Sequence, residues 1–178
     1  MKKNFLKWSV GIAAALALTA GGMGVASAAI TEEQAKSIAI EHAGLAASDV
    51  DYVRARPDFD DGRLIYEVEF YAGDREYDYD IAREDGEILK SDYEVHRRGR
   101  GYRSEAGQQM ISYEDAAAKA LARVEGATER NLHLKRDRSH GRPTFEGEIF
   151  YDGYEYEFEI DAVTGEFLEW KAERKNFW

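Results

Sequence analysis

The 178-residue sequence contains no cysteine and only two prolines. Without cysteine the chain cannot form a disulfide bond, use a thiol nucleophile or bind zinc through thiolates. The same absence excludes a lipid anchor on a cysteine at a secretory cleavage site. Any fold must therefore be stabilised by hydrophobic packing and hydrogen bonds alone.

The sequence also lacks the short motifs of the common catalytic families. It has no H-E-x-x-H, no G-x-S-x-G and no glycine-rich phosphate loop. The histidines, His42, His96, His133 and His140, are scattered, whereas a zinc site needs three or four convergent ligands. The segment 58–62 resembles the start of a calcium loop, but its glycine comes one residue early, so we interpret it as a hairpin turn. We predict no catalytic residue, no cofactor and no metal site.

Positive charge is in the minority, because 24 lysines and arginines stand against 35 aspartates and glutamates, a formal net charge of −11. A chain this acidic repels nucleic acid and anionic lipid headgroups, so we expect neither as a partner. The excess of acid favours solubility and either cationic partners or bound cations. Beyond the N-terminal segment, no stretch is long and apolar enough to predict a transmembrane helix.

The N-terminal segment 1–28 has the order of a secretory signal peptide. Lys2, Lys3 and Lys7 form a charged start, an apolar stretch follows, and small residues precede a cleavage site between Ala28 and Ala29. The alternative is an uncleaved membrane anchor, for which the stretch is short and interrupted by glycines. Loss of the three lysines changes the formal net charge from −11 to −14. We expect a bacterial protein that is secreted or otherwise extracytoplasmic, in the cell envelope, the periplasm or the medium.

The strongest positive feature of the chain is an internal repeat. Ile30 opens one copy and Ile111 the other, an offset of 81, and Tyr79 corresponds to Phe158, an offset of 79. A near-constant offset over about sixty residues indicates duplication. The predicted domains are a first repeat at 30–90, a basic flexible linker at 91–110, a second repeat at 111–172 and a C-terminal tail at 173–178.

Each repeat has the pattern of one helix followed by antiparallel strands. Thr31 and Ser112 are predicted helix N-caps, and Gly44 and Gly126 are predicted to end the two helices. A short strand is predicted at 50–54. Later segments alternate apolar and acidic residues, which indicates strands with one buried face and one solvent-exposed face. The predicted fold class is α+β, with two tandem modules, each one helix packed on a three- to four-stranded antiparallel sheet.

The acidic residues at alternate strand positions are expected to share one sheet face. In the first repeat these are Glu67, Glu69, Asp78 and Asp80. In the second repeat they are the weak candidates for a cation site, namely Glu146, Glu148, Glu155, Glu157 and Glu159. Like charges directly opposite on neighbouring strands are destabilising, so something must offset them. Water and salt, divalent cations, a basic partner surface or the arginines of the linker would each do so.

The linker contains a basic strip at 96–103, in which Arg97, Arg98, Arg100 and Arg103 are candidate binding residues. Its glycines and charge are typical of a solvated connector. The alternatives are a docking strip, for an acidic partner or for the acidic faces of the repeats themselves, and a site of proteolytic nicking. Most of the tyrosines and phenylalanines are expected to form core. The apolar C-terminal residues 176–178 are expected to fold back on the second repeat or to form a contact site.

The last strand–turn–strand of the second repeat reads F-E-I-D-A-V-T-G-E-F-L at 158–168. This signature, together with the capped helix and the aromatic and acidic hairpin, resembles the PepSY domain family. The first repeat departs from it, with Ala82 where Asp161 stands and Asp85 where Thr164 stands. The resemblance implies a peptidase-regulating or protein-binding module. No catalytic residues are known for the family, so none is carried over.

The function expected from this resemblance is that of a secreted, non-catalytic module which inhibits an extracytoplasmic peptidase or assists its folding. The partner would be an extracytoplasmic protein, for instance a metallopeptidase. No protease domain follows the repeats in this sequence, so we expect any inhibition to act on a separate chain. The alternative is an acidic envelope protein that binds divalent cations or cell-wall material. An enzyme that uses paired carboxylates is a weaker third hypothesis.

Overall fold

The computed structural model describes residues 29–96, 109–139 and 141–175. The predicted signal peptide, the arginines of the basic strip, His140 and residues 176–178 lie outside them. Within the described residues a helix and four strands occur twice in succession. The helices are α1 (Glu32–His42) and α2 (Tyr113–Leu121). The strands are β1 (Tyr52–Asp60), β2 (Arg63–Ala72), β3 (Arg75–Ala82), β4 (Ile88–Val95), β5 (Leu132–Ser139), β6 (Arg142–Tyr151), β7 (Tyr154–Asp161) and β8 (Phe167–Arg174).

Both helices begin at a capping box, as predicted. The Gln34 backbone N–H donates to Thr31 Oγ1 at 3.3 Å, and the Thr31 N–H donates to Gln34 Oε1 at 2.8 Å. In the second repeat the Asp115 N–H donates to Ser112 Oγ at 3.0 Å, and the Ser112 N–H donates to Asp115 at 3.4 Å. Each box satisfies backbone donors that the first helical turn leaves unpaired.

The two helices end differently. α1 ends at His42, and Gly44 follows with φ 71°, the left-handed conformation that commonly terminates a helix. α2 ends already at Leu121, so the prediction that Gly126 ends this helix is wrong. Gly126 instead has φ 89° in the turn that follows, where a Cβ atom would lie 2.2 Å from the hydroxyl oxygen of Tyr151. Close approach of that tyrosine explains the glycine.

All eight strands form one antiparallel sheet in the order β1-β2-β3-β4-β8-β7-β6-β5. The α+β class is therefore confirmed, but the strands of the two repeats share a single sheet instead of forming two. The repeats join where β4 pairs with β8, from Lys90 opposite Glu173 to Glu94 opposite Glu169. We call this junction the seam.

The seam explains why two strands are longer than the sequence predicts. β4 continues to Val95, through the first residues of the segment predicted as linker, and β8 continues to Arg174, into the predicted tail. β1 is also longer than the predicted strand at 50–54, because it pairs with β2 as far as Asp60. The turn after it contains Asp61 and Gly62 with φ 45° and 79°, which confirms a hairpin turn at the segment that resembles a calcium loop.

The hydrophobic core lies on one face of the sheet. Ala35 and Ala39 of α1, with Ala43 just after it, pack on the first repeat's strands, and α2 packs on those of the second repeat in the same way. Tyr93 of β4 contacts both clusters and lies directly opposite Trp170 of β8. Both helices therefore lie on the same side of the sheet. No described helix has the length and apolar character needed to cross a membrane.

Candidate functional site

The side of the sheet away from both helices carries acidic residues on six neighbouring strands. They alternate with the buried core residues, so the pleat directs them to the opposite face. We call this surface the acid face. Its acidic residues are Glu67, Glu69, Glu76, Asp78, Asp80, Asp92, Glu94, Glu146, Glu148, Glu155, Glu157, Glu159, Glu169 and Glu173.

The hairpins of the acid face place carboxylates directly opposite one another. In the first repeat Glu67 lies opposite Asp80 and Glu69 opposite Asp78, as the sequence predicts. In the second repeat the same arrangement holds between β6 and β7. There Glu146 lies opposite Glu159 and Glu148 opposite Glu157, so four of the five candidate cation residues form two facing pairs. The fifth, Glu155, lies opposite Glu173 of β8.

Cations on the two edge strands offset part of this repulsion. Arg54 of β1 forms an ion pair with Glu69, and Arg56 forms one with Glu67 at 2.9 Å. On the other edge, Lys135 of β5 lies 3.2 Å from Glu146. Each edge strand therefore supplies cations to the acidic strand beside it. Charged residues on edge strands also disfavour unwanted strand addition.

Lysines at the end of the second repeat neutralise further acids. Lys171 lies 3.5 Å from Glu157 and 3.0 Å from Glu173. Lys175 contacts Glu155 at 2.8 Å and Glu173 at 2.9 Å. Hydrogen bonds from its ammonium to these two carboxylates raise the pKa of Lys175.

Further facing carboxylates lie at and beside the seam, where Lys171 lies opposite Asp92. Asp78 lies opposite Asp92, and Glu94 lies opposite Glu169. Partial burial, reinforced by the charge of Glu76, raises the pKa of Asp78 to about 6. Burial likewise raises the pKa values of Asp92 and Glu169. One carboxylate oxygen of Asp92 is buried without a hydrogen bond in the described structure. A positive surface placed here would favour the charged forms of these carboxylates.

The PepSY family model, described as "Peptidase propeptide and YPEB domain", matches residues 29–92 and 110–171. The chain belongs to the PepSY family. Two successive matches also confirm the tandem repeat. Each matched region contains one capped helix and the strands that supply half of the acid face, so both PepSY copies contribute to this surface.

Individual proteins similar to this PepSY chain share parts of it. The protein named "Uncharacterized protein Spy1430", from Streptococcus pyogenes serotype M6, is 35% identical over 65 residues, which are 36% of this chain and 50% of the relative. The chain thus matches about half the length of that relative. The Bacillus megaterium YpeB C-terminal domain has a TM-score of 0.47 at 15% identity, covering 80% of this chain and 62% of that one. A cysteine-rich secretory protein from Staphylococcus aureus Mu50 has a TM-score of 0.34 at 11% identity, covering 78% and 43%.

The three histidines that the structure describes in this PepSY protein do not converge. His42 lies against Tyr79 on the helix side, His133 lies beside Phe150 at one sheet edge, and His96 Nε2 lies 2.6 Å from Glu76 at the end of β4. In the described ranges no three His, Asp or Glu side chains come together in a geometry that would hold a metal ion. The predicted binding residues Arg97, Arg98, Arg100 and Arg103 lie outside those ranges.

Sequence reasoning missed the seam residues of the acid face. Asp92 and Glu94 continue the alternation of period two beyond residue 90, where the first repeat was expected to stop. This continued alternation is the signal that would have extended the strand. Glu169, Lys171 and Glu173 of β8 alternate in the same way, but the pairing of β4 with β8 joins residues far apart in the sequence and leaves no local signal.

Proposed function

We propose that this PepSY protein is an extracytoplasmic, non-catalytic module that binds a peptidase through the acid face and thereby inhibits it or assists its folding. The observation that carries the proposal is the double family match, since the family description names peptidase propeptides. The acid face supports it as the contact surface, because none of the described helices covers this side of the sheet.

The acid face is large enough for a stable protein interface. Strands spaced at about 4.8 Å and rising about 3.3 Å per residue make an eight-stranded sheet roughly 30 Å by 25 Å. A standard interface covers about 800 Å² on each partner. A single partner could therefore contact strands of both repeats at once.

The charge of the surface supports a basic partner. The partner would present lysines and arginines that lie between the facing carboxylates and reduce their mutual repulsion. Such complementary charge speeds association and selects partners more than it adds affinity, and added salt weakens it. The described carboxylates lack the geometry of a metal site, so we favour protein binding over cation binding.

The test is an inhibition assay with residues 29–178 and a thermolysin-like metalloprotease, following cleavage of a small chromogenic peptide. We expect a stoichiometric fall in rate while the PepSY protein stays intact. Digestion of the protein, or an unchanged rate, would argue against regulation of this enzyme class.

A matched pair of variants tests the surface. The double variant Glu94→Gln, Glu169→Gln removes two charges from the acid face, and Glu41→Gln, Glu114→Gln removes two from exposed helix positions. We expect the first to raise the inhibition constant about tenfold at low salt and the second to leave it unchanged, because interface electrostatics depend on position. Equal effects would mean that net charge, and not the acid face, governs binding.

We also propose secretion with cleavage between Ala28 and Ala29. The charged, apolar and small-residue order of segment 1–28 supports this. Mass spectrometry of the protein exported by a bacterial host should find a chain that begins at Ala29. A chain that retains Met1 in the membrane fraction would favour the uncleaved anchor.

A further inference from the structure

The helix side of the seam carries a cluster of the opposite charge. Arg123, just after α2, places its guanidinium carbon 4.2 Å from the ring centre of Trp170 and 4.7 Å from that of Phe167. The same guanidinium lies 5.5 Å from the ring of Tyr93 and donates a hydrogen bond to its hydroxyl at 2.8 Å. An arginine of the second repeat thus reaches a tyrosine of the first.

A second arginine approaches the same tyrosine. The guanidinium carbon of Arg75 lies 5.1 Å from the ring centre of Tyr93. Both arginines therefore bring positive charge to the surroundings of this ring, which favours binding of an anion. Within the described residues neither arginine forms an ion pair with a carboxylate, whereas Arg54 and Arg63 both do. We call Arg75, Tyr93, Arg123 and Trp170 the seam cluster.

The geometry of the seam cluster leaves hydrogen-bond donors available. A guanidinium has five N–H donors in its plane, and stacking on aromatic rings occupies its faces but not its edge. Arg123 and Tyr93 are half-buried and Arg75 is exposed, so a ligand has access from the helix side. The planar fork of the guanidinium matches the two oxygens of a carboxylate, and the rings provide an apolar wall beside it.

The first repeat does not reproduce this arrangement. His42 of the first repeat corresponds to Arg123 of the second, because the two residues are separated by the same offset of 81 as Ile30 and Ile111. Its Nδ1 lies 3.1 Å from the hydroxyl of Tyr79, and desolvation lowers its pKa, so the ring is neutral near pH 7. Only the second repeat therefore supplies a permanent positive charge at this position.

We propose that the seam cluster binds a carboxylate of a peptide, with Arg75 and Arg123 holding its oxygens and the rings of Tyr93 and Trp170 beside it. This site lies on the side of the sheet opposite the acid face. It does not depend on the proposed regulation of a peptidase. It would let the protein hold an acidic or C-terminal peptide segment while the acid face remains free.

The test is an NMR titration of 15N-labelled residues 29–178 at constant ionic strength, following the Nε–H signals of Arg75 and Arg123 and the indole signal of Trp170. The probes are N-acetyl-Ala-Ala-Phe with a free carboxylate, the same peptide with a C-terminal amide, and inorganic phosphate. We expect saturable shifts of all three signals with the free acid alone. No saturable shift, or equal shifts with the amide, would overturn the proposal. Binding of phosphate without binding of the free-acid peptide would also overturn it.

Variants assign the binding to the seam cluster. Arg75→Lys and Arg123→Lys keep the charge but lose the planar fork, and each should weaken binding of the free-acid peptide about tenfold. Arg75 is exposed, so its variant should fold normally even if Arg123→Lys does not. The matched control is Arg136→Lys, because Arg136 lies 5.7 Å from the ring of Phe145 but outside the cluster. An equal loss of affinity in this control would refute the assignment.

Discussion

The two repeats stabilise the same closing turn with different side chains. In the second repeat Asp161 is 2% exposed, accepts hydrogen bonds from the N–H groups of Val163 and Thr164 at 2.8 and 3.0 Å, and lies 3.5 Å from Arg142. In the first repeat Ala82 takes the place of Asp161, so the turn lacks these side-chain bonds. An outer bond is common to both turns, from the Glu87 N–H to Asp85 at 3.0 Å and from the Glu166 N–H to Thr164 at 3.3 Å.

The residue opposite this position changes with it. Ala82 lies opposite Ile65, whereas Asp161 lies opposite Thr144, and all four side chains are buried. An apolar pair in one copy is thus a polar pair in the other. Arg63, the equivalent of Arg142, turns to Glu87 at 3.0 Å, and Glu87 also contacts Arg174 of β8. The first repeat thus lacks the buried acid and instead has an ion pair, between Glu87 and Arg174, that joins the two repeats. The family signature therefore describes one of two ways to build this turn.

The largest effect is expected where the two cores are packed differently. Gly147 stands where the first repeat has Val68, and a Cβ atom there would lie 2.5 Å from Phe158 and 2.9 Å from Leu134. Gly147→Val should lower the free energy of unfolding by about 3 kcal/mol, because overpacking forces side chains out of their preferred conformations. Urea denaturation followed by circular dichroism measures this.

A second substitution tests whether the difference is one of local volume. Val68 pairs with Ala55 on the edge strand, whereas Gly147 pairs with the larger Leu134. Leu134→Ala in the Gly147→Val background should therefore restore part of the lost stability. If the free energy of unfolding of Gly147→Val alone stays within about 1 kcal/mol of that of the parent protein, the packing difference between the repeats does not affect stability.

The closing turn gives the next effect. Asp161→Ala removes two hydrogen bonds to backbone N–H groups and a partly buried ion pair, so we expect a loss of about 2–3 kcal/mol in the same assay. The control is Asp85→Ala in the first repeat, whose carboxylate is exposed and which should cost less than about 1 kcal/mol. Equal losses would mean that both repeats depend on their closing turns to the same extent, which would contradict the difference between the two turns.

Local features of this fold could be predicted from the sequence, and long-range pairing could not. The capping boxes, the alternation and the facing of Glu67 and Asp80 all follow from spacing within one hairpin. The seam joins the last strands of the two repeats, and their pairing leaves no motif near either strand. The seam cluster depends on contacts between residues far apart in the sequence, and the raised pKa of Asp78 depends on its degree of burial, so neither could be predicted from local spacing.

A pH effect should distinguish the two halves of the acid face. Asp78 corresponds to Glu157, but Asp78 faces Asp92 whereas Glu157 faces Lys171. The pKa of Asp78 is raised to about 6, above its unfolded value of 3.8, so the folded state binds the proton more tightly. This group therefore destabilises the fold above pH 6, and the penalty disappears as the pH falls through about 6 towards 4.

The corresponding variants are Asp78→Asn and Glu157→Gln. We expect Asp78→Asn to raise the free energy of unfolding at pH 7.5 by about 1 kcal/mol, a value reduced for solvent screening, and to leave it unchanged near pH 4. Glu157→Gln removes a partner of Lys171, so it should be neutral or slightly destabilising. Unfolding curves at both pH values decide this, and a gain for Glu157→Gln equal to that for Asp78→Asn would contradict the difference between the halves.

The smallest expected effect concerns Thr144, the partner of Asp161 in the polar pair. Its hydroxyl oxygen is buried without a hydrogen bond in the described structure, although Ile65 fills the same position in the first repeat without any polar atom. Thr144→Val keeps the shape and removes the unsatisfied group, so it should raise the free energy of unfolding by about 0.5–1 kcal/mol. The control is Thr128→Val, whose hydroxyl donates to Asn131 at 3.0 Å and whose loss should destabilise slightly. If Thr144→Val destabilises the protein instead, the hydroxyl has a partner such as a buried water, and the polar pair serves the second repeat as a hydrogen-bonded unit.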